Sequence, residues 1–250
     1  MHHMRKEAKK EPTFLAVIPA RSGSKGIPNK NIRPFCGKPL MYYSVSEALK
    51  CERINRVIVS TDSENYAEIA KKYGAEVPFL RPKEFATDTS PIFDTIKHLL
   101  ITLRAKENYI PNYIVILQTT SPLRTTSDVN RCIDVILETH FDAVITVCQT
   151  EQLLYTINGD GVLKLIHKKS WLDSTNRQTL PTTYKINGPA VLVVNAKSIF
   201  KKGNRSLVYG RVFGVIMEKW LSPDIDAKED WVVAELLYKN RKMIAKKMKT

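Results

Sequence analysis

The sequence predicts an α/β protein whose mainly parallel sheet carries helices on both faces. Short apolar runs recur through the first two-thirds of the 250 residues, and amphipathic helical patterns lie between them. Strands that alternate with helices form right-handed crossover units, and these units build parallel sheets. We therefore expect a Rossmann-like core.

Six short apolar runs are typical of buried strands: FLAVIP (14–19), RVIVS (56–60), YIVILQ (113–118), AVITV (143–147), AVLVVN (190–195) and VFGVI (212–216). Two helices are predicted by apolar residues at a spacing of three and four, in SENYAEIAKKYG and in SDVNRCIDVILETH, where Ser127 is the expected N-cap. Pro39 fits the first turn of another helix, and a terminal helix is expected to begin near Asp226.

The chain divides into a main domain and two charged ends. We expect a solvated basic arm at 1–12, a domain at 13–238 and a basic tail at 239–250, with an inserted hairpin and loop region at about 149–185, where turn residues such as NGDG interrupt the pattern. The arm lacks the apolar stretch of a secretory signal, so a cytoplasmic location is the expectation. No apolar run reaches the roughly 18 residues of a membrane helix.

The formal net charge of +14 raises the question of nucleic-acid binding. The basic tail has six basic side chains and no acidic one, and the arm has four basic against two acidic, so the two ends supply 6 + 2 = 8 of the 14 charges. The remaining surplus fits a pocket for a small polyanion, and no basic stripe with interleaved aromatic residues is present. A non-catalytic nucleic-acid-binding protein that uses the basic ends is therefore the less favoured alternative. The four cysteines are widely spaced without a CxxC pair, so buried thiols are expected.

The loop after the first predicted strand, ARSGSKGIPNK, has the composition of a phosphate site. Its spacing matches neither of the two common glycine-rich phosphate motifs. Arg21, Lys25 and Lys30 nevertheless place three cations within ten residues of a strand end, with Arg33 as a fourth. Small residues that let the backbone approach a ligand lie among them: Ser22, Gly23, Ser24 and Gly26. Four cations suit a triphosphate, and a solvated basic loop is the alternative.

A pair of carboxylates stands in SPDIDAKEDW (222–231). In an extended chain, Asp224 and Asp226 point to the same side and can share a divalent cation such as Mg²⁺. The alternative is that Asp226 and Glu229 form a capping box for the last helix.

Two further stretches supply polar groups. LQTTSPLR (117–124) follows a predicted strand and carries side chains that can hydrogen-bond a sugar or a carboxylate: Gln118, Thr119, Ser121 and Arg124. In RQTLPTTYKINGPAVLV (177–193), Arg177 is a candidate anion anchor or a plain surface arginine, and Asn187 lies before the next strand.

Together these stretches resemble the acylneuraminate cytidylyltransferases, the CMP-sialic acid synthetases and their bacterial relatives. The family pattern ARxxSKGxPxKN is met by residues 20–31, from Ala20 to Asn31, and the resemblance continues in order through VSTDS (59–63), LRPKEFATDTS (80–90), LQTTSPLR, RQTLP and SPDID. It spans roughly residues 14–235. The resemblance implies a fold of the nucleotide-diphospho-sugar transferase type, an inserted dimerisation element and a homodimer.

The resemblance also implies an activity and a site. Family members transfer CMP from CTP to the anomeric hydroxyl of a nonulosonic acid, with Mg²⁺ as cofactor and without nucleic acid or membrane as partner. The implied nucleotide site holds the triphosphate with Arg21, Ser24, Lys25, Lys30 and Asn31, in a loop that also includes Ala20 and Ser22. The implied nucleobase side has Arg81, Asp88 and Thr89, and the implied metal ligands are Asp224 and Asp226. The implied sugar side has Gln118, Arg177 and Asn187, and the catalytic groups are Arg21, Lys25 and the two aspartates.

Two positions depart from the family pattern on the sugar side. Thr156 stands where sialic acid enzymes place a lysine, and Val191 stands where an aromatic residue usually follows NG. The acceptor is therefore left open among sialic, legionaminic, pseudaminic and related acids. A nucleotidyltransferase for another sugar, such as the eight-carbon acid Kdo, is the closest alternative, although its first loop is expected to lack the SKG pattern.

Overall fold

The computed structural model describes residues 11–151, 154–159, 161–166 and 180–248. The strands are β1 (Phe14–Pro19), β2 (Pro34–Phe35), β3 (Lys38–Pro39), β4 (Ile54–Ser60), β5 (Tyr113–Ile116), β6 (Ala143–Thr150), β7 (Tyr155–Ile157), β8 (Leu163–Leu165), β9 (Thr183–Ile186), β10 (Leu192–Asn195) and β11 (Val212–Ile216). The α-helices are α1 (Leu40–Leu49), α2 (Glu64–Lys72), α3 (Ile92–Glu107), α4 (Thr126–Thr139), α5 (Ala196–Ile199), α6 (Lys228–Lys239) and α7 (Arg241–Lys247).

The central sheet is mainly parallel, as the sequence predicts. Over the described residues it has seven strands, in the order β11-β6-β10-β5-β1-β4, with β9 paired to β6. β1 is parallel to both β4 and β5, and β11 is parallel to β6. Only β10, which is antiparallel to β5 and β6, and β9 run against the others in this part of the chain. The carboxyl ends of β1 and β5 therefore lie together at one edge, where parallel sheets bind ligands.

Helices cover both faces of the sheet because successive residues of a strand point to opposite sides. In β1, Ala16 and Ile18 pack with α1, α2 and α4, whereas Leu15 and Val17 pack with α3 and α5. A third apolar cluster joins α6 to α1 and to the hairpin β2–β3, through residues that include Phe35 and Ala234. This cluster, which also includes Ile27, holds α6 beside the loop that follows β1.

One predicted helix cap is wrong and one predicted helix start is confirmed. The N-cap of α4 is Thr125 and not Ser127, because Thr125 and Asp128 form a reciprocal capping box. The predicted terminal helix is α6, which begins at Lys228, near Asp226, and is followed by α7. Asp230, and not Glu229, caps α6 by accepting hydrogen bonds from the backbone N–H groups of Asp226 and Ala227. The side chain of Asp226 is thus left free of the capping role.

The predicted insertion contains a separate hairpin, in which β7 pairs antiparallel with β8. The adjoining strand β9 extends the central sheet at β6. Three of the four cysteines, Cys51, Cys132 and Cys148, are buried free thiols, and Cys36 is half-buried. None of the described helices is long and apolar enough to cross a membrane.

Candidate active site

An open cleft of about 430 Å³ lies at the carboxyl edge of β1 and β5. Its walls come from the loop after β1, the 81–95 segment, the loop after β5 and the start of the C-terminal helical region. Ten sequence-predicted residues line it: Arg21, Ser24, Lys25, Lys30, Asn31, Arg81, Asp88, Gln118, Thr119 and Asp226. The structure therefore brings together most of the predicted nucleotide site.

The first two cations of the loop meet at one carboxylate. The guanidinium of Arg21 and the ammonium of Lys25 each lie 2.6 Å from an oxygen of Asp88. Hydrogen bonds from Lys25 and Arg21 lower the pKa of Asp88, so this carboxylate is ionised at neutral pH. The structure thus places Asp88 against two cations of the loop after β1.

Lys30 links the loop to the predicted metal site. Its ammonium donates to the carbonyl oxygen of Ile225 at 2.6 Å and to the carboxylate of Asp226 at 3.1 Å. The same two segments touch at Gly26, where a Cβ atom would lie 2.5 Å from the backbone oxygen of Asp226. Glycine at position 26 is therefore required by this close approach.

A set of internal hydrogen bonds fixes the course of the loop. The Asn31 amide donates to the backbone oxygen of Arg21 at 2.9 Å, and the Thr119 hydroxyl donates to the Asn31 amide oxygen at 2.5 Å. The Ser22 hydroxyl donates to Asp62 at 2.8 Å, and its backbone N–H donates to the same carboxylate at 2.9 Å. These contacts orient the cations of the loop toward the cleft.

Arg81 is a buried cation in the wall of the cleft. Its guanidinium donates to the hydroxyl and the backbone oxygen of Ser60 at 3.1 and 2.5 Å. Burial lowers the pKa of Arg81 to about 10, which still leaves it charged at neutral pH. A further guanidinium nitrogen of Arg81 donates to the backbone oxygen of Phe85 at 3.5 Å, and Phe85 also lines the cleft.

Asp224 and Asp226 flank Ile225, which is fully buried. Asp226 is three-quarters exposed at its side chain. Burial raises the pKa of Asp224. A hydrogen bond from Thr120 lowers this pKa, and the charge of Asp226 raises it. Among the described residues, Asp224 forms no ion pair.

This pair fits a hard divalent cation. Its donors are carboxylate oxygens, and a dication beside them would offset the like-charge repulsion between the two aspartates. No group of three or more His, Cys, Asp or Glu side chains suited to a metal occurs in the described part of the chain. A cation held here would take its other ligands from phosphate oxygens or water, as Mg²⁺ commonly does.

Three residues predicted to contact the sugar are instead buried in the protein. Arg124 is 2% exposed and donates to the backbone oxygens of Ala190 and Gln118 and to the Ser44 hydroxyl. Ser121 is fully buried and donates to the backbone oxygen of Asn187. The Asn187 amide, 1% exposed, binds Thr146 and Ser222. Their polar atoms are used internally, so the structure assigns all three to the framework behind the cleft.

The other predicted residues occupy varied positions. Ala20 is buried and donates its backbone N–H to Ser60, and Thr89 lies on the exposed loop beside Asp88 without lining the cleft. Val191, expected on the sugar side, lies in the hydrophobic core. Thr156 lies in β7, and Arg177 falls outside the described residues.

Two positions that shape the cleft were missed by the sequence analysis. Asp62, in the VSTDS motif, accepts hydrogen bonds from the hydroxyl and the backbone N–H of Ser22 and so shapes the loop after β1. Gly188 has a φ of +107°, and a Cβ there would lie 3.0 Å from the Asp224 carboxylate. The sequence offered two signals for these positions, the place of Asp62 in the VSTDS motif and the NG dipeptide at 187–188. Neither signal shows that Asp62 contacts Ser22 or that Gly188 lies beside Asp224.

Other cavities differ chemically from the cleft. One of about 510 Å³ has a mostly apolar lining from α3, α5 and the 108–112 segment, near the opposite edge of the sheet. Another, of about 470 Å³, lies between the end of β6 and residues 216–219.

Comparison with known proteins shows the family to which the chain belongs. Residues 15–212 match the family model described as cytidylyltransferase. The chain is 30% identical to CMP-N,N'-diacetyllegionaminic acid synthase of Legionella pneumophila, covering 90% of this chain and 95% of that protein. It is 34% identical to N-acylneuraminate cytidylyltransferase of Escherichia coli over 92% of this chain, and it spans 54% of that longer protein.

The fold has counterparts among solved structures. A CMP:2-keto-3-deoxy-manno-octonic acid synthetase complexed with CTP superposes with a TM-score of 0.67 at 14% identity, covering 92% of this chain and 99% of the other. At that identity the likeness concerns the fold alone.

Proposed function

Because the chain belongs to the cytidylyltransferase family, we propose that it transfers CMP from CTP to the anomeric hydroxyl of a sialic-acid-like nonulosonic acid, with Mg²⁺ as cofactor. The observation that carries the proposal is the cleft, in which cations of one loop face Asp226, while the other member of the carboxylate pair, Asp224, is not among the lining residues. The names of the relatives support the choice of acceptor, since they activate legionaminic and acylneuraminic acids.

The cleft residues fit this chemistry. The sugar hydroxyl attacks the α-phosphorus of CTP, a new P–O bond forms, the bond to the β-phosphate oxygen breaks, and the hydroxyl proton is released with pyrophosphate as leaving group. Negative charge then grows on the leaving oxygens, and phosphoryl transfer depends chiefly on positioning and charge neutralisation. Arg21 and Lys25 would neutralise the phosphates from the loop. Lys30 would hold Asp226 in place.

Asp224 and Asp226 would hold the Mg²⁺. When bound, the cation supplies charge stabilisation and orientation of the phosphate oxygens. The raised pKa of Asp224 supports this assignment, because a half-buried carboxylate beside a second one is stabilised by a dication.

The sugar side is proposed more broadly. Gln118 lines the cleft and is the predicted sugar residue with an accessible side chain at this edge. The cavity beside residues 216–219 adjoins the insertion and offers further polar groups, among them Gln149 and Glu151. We place the acceptor between Gln118 and this cavity.

A homodimer and a cytoplasmic location complete the proposal. Apolar side chains are exposed along β9, β11 and the β7–β8 hairpin, for example Ile186 at 54%, Ile216 at 50% and Ile157 at 68%. A second copy of the chain would remove this surface from water. Light scattering of the wild type and of Ile186→Lys tests this: we expect a dimer that the lysine weakens, and a monomeric wild type would refute it.

A pyrophosphate-release assay tests the reaction. The purified protein is incubated with CTP, Mg²⁺ and sialic, legionaminic, pseudaminic or Kdo acid in turn. We expect release with a nonulosonic acid of nine carbons and a loss of signal when EDTA removes the metal. Release with Kdo alone would favour the alternative acceptor. Nucleic-acid affinity that falls steeply with salt, without pyrophosphate release from any acid, would favour the binding protein.

A further inference from the structure

Asp88 occupies a position that the proposed reaction leaves unexplained. It is an anion within a cleft proposed to bind a polyanion, and its two oxygens contact Arg21 and Lys25 at 2.6 Å each. A nucleotide phosphate bound to these cations would have to displace the carboxylate. Asp88 therefore competes with the ligand for the same two partners.

The loop that carries Asp88 is held independently of this contact. The Ser90 hydroxyl donates to the Glu84 backbone oxygen at 2.7 Å, and the Thr87 and Ser90 hydroxyls lie 2.6 Å apart. Ser90 also accepts the backbone N–H of Thr87 at 3.1 Å. These bonds keep the loop folded when the ion pairs break, so releasing the carboxylate requires little more than rotation of one side chain.

The energetic scale of the competition is small, and a highly charged ligand overcomes it. Lys25 is 81% exposed and Asp88 is 35% exposed at their side chains, so water screens their attraction. An exposed ion pair is worth a factor of roughly two to five in an equilibrium constant. A triphosphate with about four negative charges replaces one carboxylate and gains far more from the two cations than it loses. A weakly charged ligand gains less.

We propose that Asp88 is a built-in competitor for the phosphate positions at Arg21 and Lys25: a nucleoside triphosphate must displace it, so Asp88 lowers triphosphate affinity and leaves unchanged the affinity for nucleotides that do not reach these cations. The inference rests on the proposed function, since it requires that these cations bind the β- and γ-phosphates of CTP. A nucleoside monophosphate that does not reach the two cations leaves Asp88 in place.

Calorimetric titration with CTP and with CMP, in Mg²⁺ and without sugar acceptor, tests the proposal. Asp88→Asn removes the charge at constant size, and we expect it to tighten CTP binding by ~3- to 10-fold because two exposed ion pairs no longer need to break. CMP affinity should change by less than about twofold. At an ionic strength of about 1 M, where the screening length is about 3 Å, the gain for CTP should shrink.

Two further variants make the result specific. Asp134→Asn makes the same charge change in the ion pair with Arg53 and should leave CTP affinity unchanged, which controls for the added net positive charge. Asp88→Glu keeps the anion and should remain close to wild type. Weaker or unchanged CTP binding by Asp88→Asn, or an equal gain for CMP, would overturn the proposal.

The same titrations, together with the pyrophosphate-release assay, separate this inference from the proposed function. A wild-type protein that fails to bind CTP in Mg²⁺ contradicts the function itself. A wild type that binds CTP and releases pyrophosphate, together with an Asp88→Asn variant that binds no more tightly, contradicts the role of Asp88 alone.

Discussion

The two sides of the cleft carry polar residues of similar type that differ in burial and in their hydrogen-bond partners. On the loop side, Arg21 and Lys25 are accessible and form ion pairs with one exchangeable carboxylate. On the side behind the strand β5, Arg124 and Asn187 are as polar but are buried, and their donors are used by backbone and hydroxyl groups of the protein.

This difference in burial distinguishes side chains that are free to bind a ligand from side chains that position those ligand-binding groups. A buried polar group must be hydrogen-bonded inside the protein, because an unsatisfied one costs about 1–3 kcal/mol. Arg124 donates to the backbone oxygens of Gln118 and Ala190 and so fixes the backbone from which Gln118 reaches the cleft. We therefore expect substitutions behind the strand to reduce stability, and substitutions on the loop side to reduce activity.

The largest effect is expected from Arg124→Met. Burial lowers the pKa of Arg124 to about 9. Methionine would remove the guanidinium donor from the oxygens of Ala190, Gln118 and Ser44, and of these the Gln118 oxygen would keep only the Ser44 hydroxyl. We expect a loss of about 3–5 kcal/mol in the free energy of unfolding, measured by urea denaturation. Arg53→Met, in an exposed ion pair, is the control and should cost less than about 1 kcal/mol. An Arg124→Met protein of normal stability that has lost only sugar binding would reverse the assignment.

Asp226→Asn should act on the rate alone. The carboxylate is 75% exposed, and its contact is with Lys30, so the folded state depends on it little. Loss of its charge should lower kcat for pyrophosphate release by at least about a hundredfold, equivalent to about 2.7 kcal/mol. The melting temperature should hardly change. Glu229 is an exposed carboxylate in the first turn of α6, and Glu229→Gln serves as the matched control. Full activity of Asp226→Asn would contradict the assignment of Asp226 as a metal ligand.

Sequence reasoning located the strands and the phosphate loop because both depend on local pattern. β1 begins and ends where the apolar run FLAVIP does, and Arg21, Lys25 and Lys30 follow at the strand end. The hydrogen bond between Ser22 and Asp62 joins residues 40 positions apart, and the one between Arg124 and Ser44 joins residues 80 apart. Such pairs depend on tertiary packing, so the sequence offered Arg124 as a ligand contact when it is a framework residue.

Gly26→Ala tests whether the two halves of the active site are held in register. The added Cβ would lie 2.5 Å from the Asp226 backbone oxygen, so the loop or the Asp226 segment must shift. Displacements of this size alter the alignment of reacting groups, and we expect kcat/KM to fall by roughly ten- to a hundredfold. Gly23→Ala in the same loop is the control, because its Cβ would meet only the Arg21 guanidinium at 3.7 Å. Equal activities of the two variants would show that the close approach is not needed.

The smallest effect is expected from Ser22→Ala, although Ser22 belongs to the predicted nucleotide loop. Its hydroxyl donates to Asp62, and the backbone N–H of the same residue keeps a second bond to that carboxylate. Alanine removes one of these two bonds, each worth about 1 kcal/mol, and the loop keeps the other. We expect KM for CTP to rise by less than about threefold in steady-state assays. A rise of a hundredfold would mean that the hydroxyl turns to the phosphates when CTP binds, which would move Ser22 from the framework to the ligand-binding side of the comparison.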